Sequence, residues 1–223
     1  VTGSMTVALT EHRREEILRQ ASLARAFGVE AEEVSLETAK ELCPYLTVED
    51  AVSAVYLPGD GQGDPANIAM ALARGAKIKG AQIVEGVKVT SVEDNGDQVT
   101  GVRYVQEDGT EGHIATEHVV NCGGMWGRDL AAENGVTLPL HACEHFYLLT
   151  EPVEGLTGMP VLRVPDECAY YKADAGKMML GAFEPKAKPW GMNGISEDFE
   201  FDSLPEDFDQ FEPILEMAMH RMP

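Results

Sequence analysis

In the stretch HACEHFY, residues 141–147, imidazole, thiol and phenol groups fall at alternate positions: His141, Cys143, His145 and Tyr147. Along a strand that alternation puts all four on one face, with Glu144 and Phe146 on the other. Imidazoles and thiolates are zinc ligands by type. Positions i, i+2 and i+4 of a single strand nevertheless span too far for one ion to hold all three comfortably, and no fourth ligand is obvious, so no metal is expected. The other chemistry open to these residues concerns protons. One imidazole, titrating near neutral pH and paired across a sheet with a tyrosine of AYYK (169–172), would orient a polar substrate or accept its proton. A core histidine bonded to backbone has the same spacing, and spacing alone does not choose between the two.

The stretch HVVNCGGMWGRDL, residues 118–130, reads as a buried strand that ends in Gly123-Gly124 and enters a helix. Glycines there bring backbone N–H groups and a helix start to a point that no side chain obstructs, a setting for a phosphate or a cofactor. The alternative is a tight strand-to-helix turn with Trp126 packed in the core. Gly59, Gly61 and Gly63 lack both the GxGxxG spacing and the preceding strand of a nucleotide fingerprint, and read as a turn.

The elements that must hold these residues follow from periodicity. Residues 10–30 put Ile17, Leu18, Ala21, Ala24 and Phe27 on one helical stripe, with Thr10 as N-cap and Gly28 just past the end. A shorter helix follows Ser35 and stops at Pro44. Asp64 and Pro65 are an N-cap and first-turn pair opening another. Between 81 and 121 the period changes to two, giving a β-meander with turns at DNGD and EDGTEG, then the buried strand before the glycine pair. LHACEHFYLLTEP (140–152) reads as one further strand, and residues 168–184 as a hairpin turning at ADAG. The last segment places Phe208, Phe211, Leu215 and Met219 at helical spacing, with Pro205 and acids in the first turn and a kink expected at Pro213. No internal repeat or linker interrupts the chain.

Composition bounds what this scaffold serves. A length of 223 residues supports a substantial core, either one domain or one large domain with an excursion. With 17 basic against 38 acidic residues the formal net charge is -21, which excludes a large phosphate-tracking surface and hence nucleic acid as a partner. Residues 196–213 carry eight acids and no base, read as a solvated face with its aromatics turned inward. No apolar run reaches the length of a membrane span, and the start lacks a signal-peptide pattern, so a soluble intracellular chain is expected. Four scattered cysteines, Cys43, Cys122, Cys143 and Cys168, form no CxxC pair and read as reduced, buried thiols.

Taken in order, GSM, LPGDGQGDPANIAMALARGAKIKG, VKVTSV, VVNCGGMWGRDL, EHFYLLTEP, AYYKADAGKMMLGAFE and MAMHRMP resemble the flavin-dependent N-methylamino acid dehydrogenases and oxidases, the dimethylglycine and sarcosine dehydrogenase type. The resemblance covers nearly the whole chain. It implies an α+β fold: a D-amino-acid-oxidase-like substrate domain with a large mixed sheet and flanking helices, plus a β-meander part of the FAD domain. It divides the chain into a start of the substrate or helical region (1–64), part of the FAD-binding domain (65–135) and substrate-binding domain (136–223). The chain then looks like an internal piece, incomplete at both ends. It lacks the family's GxGxxG segment, the histidine that carries covalent flavin in some members, the C-terminal return to the FAD domain and the folate-binding module.

Residue by residue, the resemblance makes Val89, Gly123, Gly124 and Trp126 contacts of FAD, and makes His145 and Tyr170 the catalytic pair facing substrate. Relatives have His-Gln-Tyr where this chain has His145-Phe146-Tyr147; Phe146, pointing away from His145, is expected to affect packing more than chemistry, and Tyr147 and Tyr171 are expected to be structural. The implied reaction moves a hydride equivalent from the N-methyl carbon of a small methylated amino acid to flavin, giving an iminium ion that hydrolyses to formaldehyde or passes to tetrahydrofolate. An electron-transfer flavoprotein or oxygen would reoxidise the flavin, in the cytoplasm or, in a eukaryote, the mitochondrial matrix. The resemblance also leaves room for a non-catalytic regulatory or binding subunit of the same fold.

Overall fold

Short side-chain caps start the helices where the sequence puts them. In the computed structural model, which describes residues 1–196 and 199–223, strand β1 (Ser4–Ala8) leads to helix α1 (Glu11–Ala26), whose N-cap Thr10 accepts from Arg13 N at 3.2 Å. Gly28, with φ of 80°, stands beyond its end. Ile17 and Ala21 are its buried face, with Leu18 and Ala24 packed alongside. Phe27, expected on that stripe, is 80% exposed, because it is the C-cap residue and has left the helical phase. Strand β2 (Glu32–Val34), helix α2 (Leu36–Leu42, capped by Ser35) and strand β3 (Ser53–Leu57) follow.

Helix α3 (Pro65–Ile78) begins with Asp64 accepting from Asn67 N at 2.9 Å and Pro65 in its first turn. The meander is β4 (Val87–Asp94), β5 (Val99–Gln106) and β6 (Glu111–Ala115), an antiparallel sheet of its own in the order β4-β5-β6. The buried strand expected at the end of 113–121 does not form. Residues 116–123 carry no ladder, and Val120 is exposed, because none of the described strands runs beside it to complete its hydrogen bonds. After a single 3-10 turn (Gly124–Trp126) comes helix α4 (Gly127–Glu133).

The single strand expected over 140–152 is two. Strand β7 (Ala142–Cys143) pairs with β12 (Pro189–Trp190), whereas β8 (Tyr147–Pro152) joins the large sheet. The break falls at Glu144, whose N–H bonds to Lys188 O. Strands β9 (Val161–Val164), β10 (Ala169–Asp174) and β11 (Lys177–Ala182) complete that sheet. The β10–β11 hairpin turns at Ala175 and Gly176, both at positive φ (49° and 80°), as a two-residue type I′ hairpin requires.

Two compact units result. One comprises Val1–Gly63, His145–Ala187 and Leu204–Pro223; the other comprises Asp64–Glu144 and Lys188–Ser203. The first is built on a seven-stranded mixed sheet, β2-β3-β1-β9-β10-β11-β8, in which β1 and β9 run parallel and the other neighbours antiparallel. Met5, Val7, Leu162, Val164, Tyr171 and Leu180 line its buried underside against α2 and the final helix α5 (Phe208–Arg221). Helix α1 packs on the opposite face, over β1 and β3.

The buried stripe of α5 is Phe211, Ile214, Ala218 and Arg221, about a quarter-turn from the one expected; Phe208 and Met219 are exposed, and the helix runs on through Pro213. Of the acidic segment's aromatics, Phe211 turns inward, while Phe201 and Phe208 do not; Glu197 and Asp198 lie outside the described residues. Nor are the thiols uniformly buried. Cys43 sits in the core, where burial pushes its pKa up to about 11, and Cys122 in the turn before the glycine pair is exposed. Among the described residues no helix is long and apolar enough to cross a membrane.

Arg221 anchors α5. Fully buried, its guanidinium meets Glu167 at 2.6 Å and Asp50 at 2.7 and 2.8 Å, and donates to Thr47 O at 2.7 Å. Burial works against its charge, but the hydrogen bonds to Asp50 and Glu167 outweigh that and raise its pKa. Chiefly through the same hydrogen bond, Asp50 is held below the ordinary carboxylate value. Its native pKa being depressed, Asp50 contributes stability that is complete above the unfolded-state value of about 4 and is lost as pH falls through the folded one. Asp50→Asn is therefore expected to lower the melting temperature at neutral pH by an amount that shrinks below about pH 4. Thermal unfolding across pH checks this, and an acid-independent gap would contradict the pairing.

Candidate active site

One face of the seven-stranded sheet is left open beyond α1, and cross-strand register decides what stands on it. Arg163 of β9 pairs with Tyr170 of β10, Tyr170 with Gly181 of β11, and Gly181 with Tyr147 of β8. These residues share a face because directly opposed residues point the same way. The alternate residues, Leu162, Tyr171 and Leu180, go into the core. Tyr170 and Tyr171 are therefore separated as expected. Tyr147, expected to be structural, is an exposed member of the open face instead.

Gly181 leaves space that its neighbour fills. A Cβ there would lie 1.9 Å from Cζ and 2.2 Å from the hydroxyl of Tyr170, so the phenol lies flat across a strand position that has no side chain. Beyond Gly181, Phe183 occupies the middle of the group. Its ring centroid is 5.5 Å from that of Tyr170 and 6.3 Å from that of His145, the latter edge-on, and the Arg163 guanidinium carbon lies 5.9 Å away over the ring. Ala182 N donates to Phe146 O at 3.3 Å, which carries the β8–β11 ladder one step further and brings Phe183 beside His145.

His145 is half exposed, and its Nδ1 lies 2.6 Å from Glu184 Oε2. The other oxygen of Glu184 accepts from Phe146 N at 3.0 Å. Phe146 itself turns to the core side and packs near Phe211, as its place in the alternation implies. His141 and Cys143 belong to the other unit, and among the described residues no three His, Cys, Asp or Glu side chains converge as metal ligands.

On the α1 side of Arg163 the open face continues into a cleft of about 470 Å³, walled by Gln20, Ala21 and Ala24 of α1 and by Thr6 and Val55. Asp60 stands in it, accepting from Ser4 Oγ at 2.7 Å and Gly61 N at 2.8 Å. Those hydrogen bonds, with a smaller contribution from the Arg163 charge, hold its pKa below the ordinary value. Arg163 makes no ion pair among the described residues; its charge acts on Asp60 across the cleft and lies over the Phe183 ring.

The residues expected to meet a cofactor lie in the second unit. Gly124 has φ of 55°, and a Cβ on Gly123 would come within 3.0 Å of Asn121 Oδ1 and 3.1 Å of Gly127 Cα. Asn121 stitches this turn, accepting from Gly123 N at 3.0 Å and donating to Gly127 O at 2.8 Å. Trp126 is 42% exposed, which overturns the core-packed alternative, and Val89 is exposed beside a register shift between Val89 and Ser91. Asn134, at the end of α4, accepts from Val92 N at 3.2 Å and so ties that helix to the strand carrying Val89. The glycine turn and the exposed indole thus stand together within the second unit, and the chain contains no GxGxxG.

Sequence reasoning missed Arg163, Phe183, Glu184 and Asn121. Arg163 had a signal as the one charge within VLRV, and Asn121 as an Asx residue two before a glycine. Phe183 and Glu184 had none, because their roles come from strand pairing.

Comparison with known proteins agrees with this architecture. The chain is 35% identical over 222 residues to mitochondrial sarcosine dehydrogenase of Mus musculus, a match that covers 99% of this chain and 24% of that protein. It is 36% identical over 226 residues to the mitochondrial pyruvate dehydrogenase phosphatase regulatory subunit of Mus musculus, covering 100% and 25%. The chain thus spans about a quarter of the length of these relatives. The crystal structure of L-proline dehydrogenase from P. horikoshii superposes with a TM-score of 0.77 at 22% identity, covering 99% of this chain and 56% of that one. The mixed α+β fold with a large sheet and flanking helices is the one expected of the D-amino-acid-oxidase type. The profile of the FAD dependent oxidoreductase family matches residues 1–223, and the chain belongs to that family.

Proposed function

We propose that this chain carries the substrate side of a flavin-dependent oxidoreductase that oxidises the N-methyl C–N bond of a small methylated amino acid, of the dimethylglycine or sarcosine type. The observation that carries the reading is the group on the open sheet face, where Arg163, Tyr170 and His145 surround Phe183. Residues 1–64 and 136–223 form the substrate region, and 65–135 part of the FAD-binding domain.

Each residue has a role that its chemistry allows. Arg163, a cation without an ion pair among the described residues, binds the substrate carboxylate. Phe183 and Tyr170 offer the N-methyl group an aromatic wall, and the Tyr170 hydroxyl fixes the amine by a hydrogen bond. The outward nitrogen of His145, Nε2, accepts the ammonium proton, leaving the amine lone pair free to assist loss of hydride from the methyl carbon. Val89, Gly123, Gly124 and Trp126 hold part of FAD, which when bound supplies the two-electron acceptor. Hydrolysis of the resulting iminium ion releases formaldehyde and the demethylated amine.

Transfer of the one-carbon unit to tetrahydrofolate, reoxidation by an electron-transfer flavoprotein or by oxygen, and residence in the cytoplasm or mitochondrial matrix belong to the same proposal. They rest on the likeness to mitochondrial sarcosine dehydrogenase. A second reading, a regulatory subunit without catalysis, is favoured by the 36% identity to the phosphatase regulatory subunit.

Anaerobic mixing of the flavin-loaded protein with sarcosine or dimethylglycine is expected to bleach the visible flavin absorbance. Bound flavin that neither amine reduces would turn the balance to the regulatory reading. His145→Ala is expected to slow that bleaching by about 10²–10⁴-fold with flavin content unchanged, and an unaltered rate would take His145 out of the site. Gly181→Ala is expected to displace the Tyr170 ring and slow reduction with little change in melting temperature, and unchanged kinetics in that variant would contradict the role of Tyr170.

A further inference from the structure

The pair His145–Glu184 is asymmetric. The Glu184 side chain is 2% exposed and the His145 side chain 51%, so the carboxylate is walled off while the far edge of the imidazole faces open space. Glu184 spends one oxygen on Phe146 N at 3.0 Å and the other on His145 Nδ1 at 2.6 Å. A carboxylate has only acceptors to offer, so the hydrogen of that second contact must sit on Nδ1. In the neutral ring the remaining nitrogen, Nε2, is then an acceptor.

We propose that Glu184 is the positioning residue of this site: it fixes the Nδ1–H tautomer of His145 and turns a basic Nε2 toward the open face beside Phe183. The inference rests on the reading of His145 as the proton acceptor, but it makes its own claim about the ring. Without Glu184, an imidazole in water favours the opposite tautomer, with hydrogen on Nε2, and presents a donor to a substrate that already carries the proton to be removed. Glu184 also limits the ring's rotation, since Nδ1 is tied to a carboxylate whose other oxygen is fixed by the backbone at the start of β8. An imidazolium formed by proton transfer would keep the same hydrogen bond, now charge-assisted, so no rearrangement accompanies the step.

A purely structural role for Glu184, satisfying Phe146 N–H, makes a different forecast. In Glu184→Gln the amide oxygen still accepts from Phe146 N, and the NH₂ group is left to face His145 Nδ1. The fold is kept while the polarity of the contact to the ring reverses.

The test is ¹⁵N NMR of the side-chain imidazoles at about pH 9, where a histidine ring is neutral. The chain has six histidines, and the His145 signal is identified by its loss in His145→Ala. The parent protein is expected to show the Nδ1–H tautomer at His145 and Glu184→Gln the Nε2–H tautomer. In parallel, amine-dependent flavin reduction should fall by about 10²-fold with flavin content unchanged. An Nε2–H tautomer in the parent protein overturns the proposal whether or not the variant folds, as does a variant that folds and keeps the Nδ1–H form. A tautomer that switches while flavin reduction is unaltered upholds the control of the ring by Glu184 and overturns the reading of His145 as proton acceptor.

Discussion

Tyr171 is 1% exposed, and its neighbour Tyr170 stands on the opposite face of β10. Everything on the open side of the sheet depends on that alternation being held. Its source is the packed underside, where Met5, Val7, Leu162, Val164, Tyr171 and Leu180 meet residues of α2 and α5. Each such side chain contributes about 1.5–3 kcal/mol by leaving water. A slip of one residue in β10 would bury Tyr170 and Lys172 in place of Tyr171, forfeiting several of these contributions and stranding a charge. The register of the site residues is thus fixed by residues that never touch a ligand.

Arg221 serves the same end by another force. A guanidinium with no exposure is costly unless each of its donors is met, and here Asp50, Glu167 and the Thr47 carbonyl meet them. The geometry therefore prescribes where α5 ends. It also ties together the loop after α2, the turn between β9 and β10, and the helix that covers the sheet. Arg163 is the contrasting case. It lies on the open face with the Phe183 ring as its neighbour and makes no ion pair among the described residues.

What the sequence disclosed and what it hid divide along the range of the interactions. Caps at Thr10 and Asp64, the start of a helix after Ser35, the Ala175–Gly176 turn and the meander strands are local, and each was legible from a few neighbouring residues. The strand expected over 140–152 failed because alternation does not reveal that a chain changes partners, as it does between β7 and β8. The strand before Gly123 failed for a related reason, since an apolar run becomes a strand only when others lie beside it. The stripe of α5 is not legible from apolar spacing because a charged residue, Arg221, takes one of its buried positions. His145 and Tyr170 stand out in the sequence as types in a pattern, whereas the contacts that Phe183 makes with both rings and Glu184 makes with His145 come from pairings between separate strands.

Coverage of the sheet explains why the site lies where it does. Helix α1 packs over β1 and β3 through small residues and Ile17, and its wall ends at the cleft beside Arg163. From β9 to β8 no described helix of this unit follows, and Phe183, Tyr147 and Leu149 remain exposed on one contiguous run of strands. Apolar surface left in water on a folded sheet is a cost that a helix would ordinarily remove, and exposed aromatic patches of this kind mark binding surfaces. The polar groups at its margins are the Arg163 guanidinium and the His145 imidazole. In this unit the core sets the register, α1 sets the edge of the covered part, and the strands from β9 to β8 are left open.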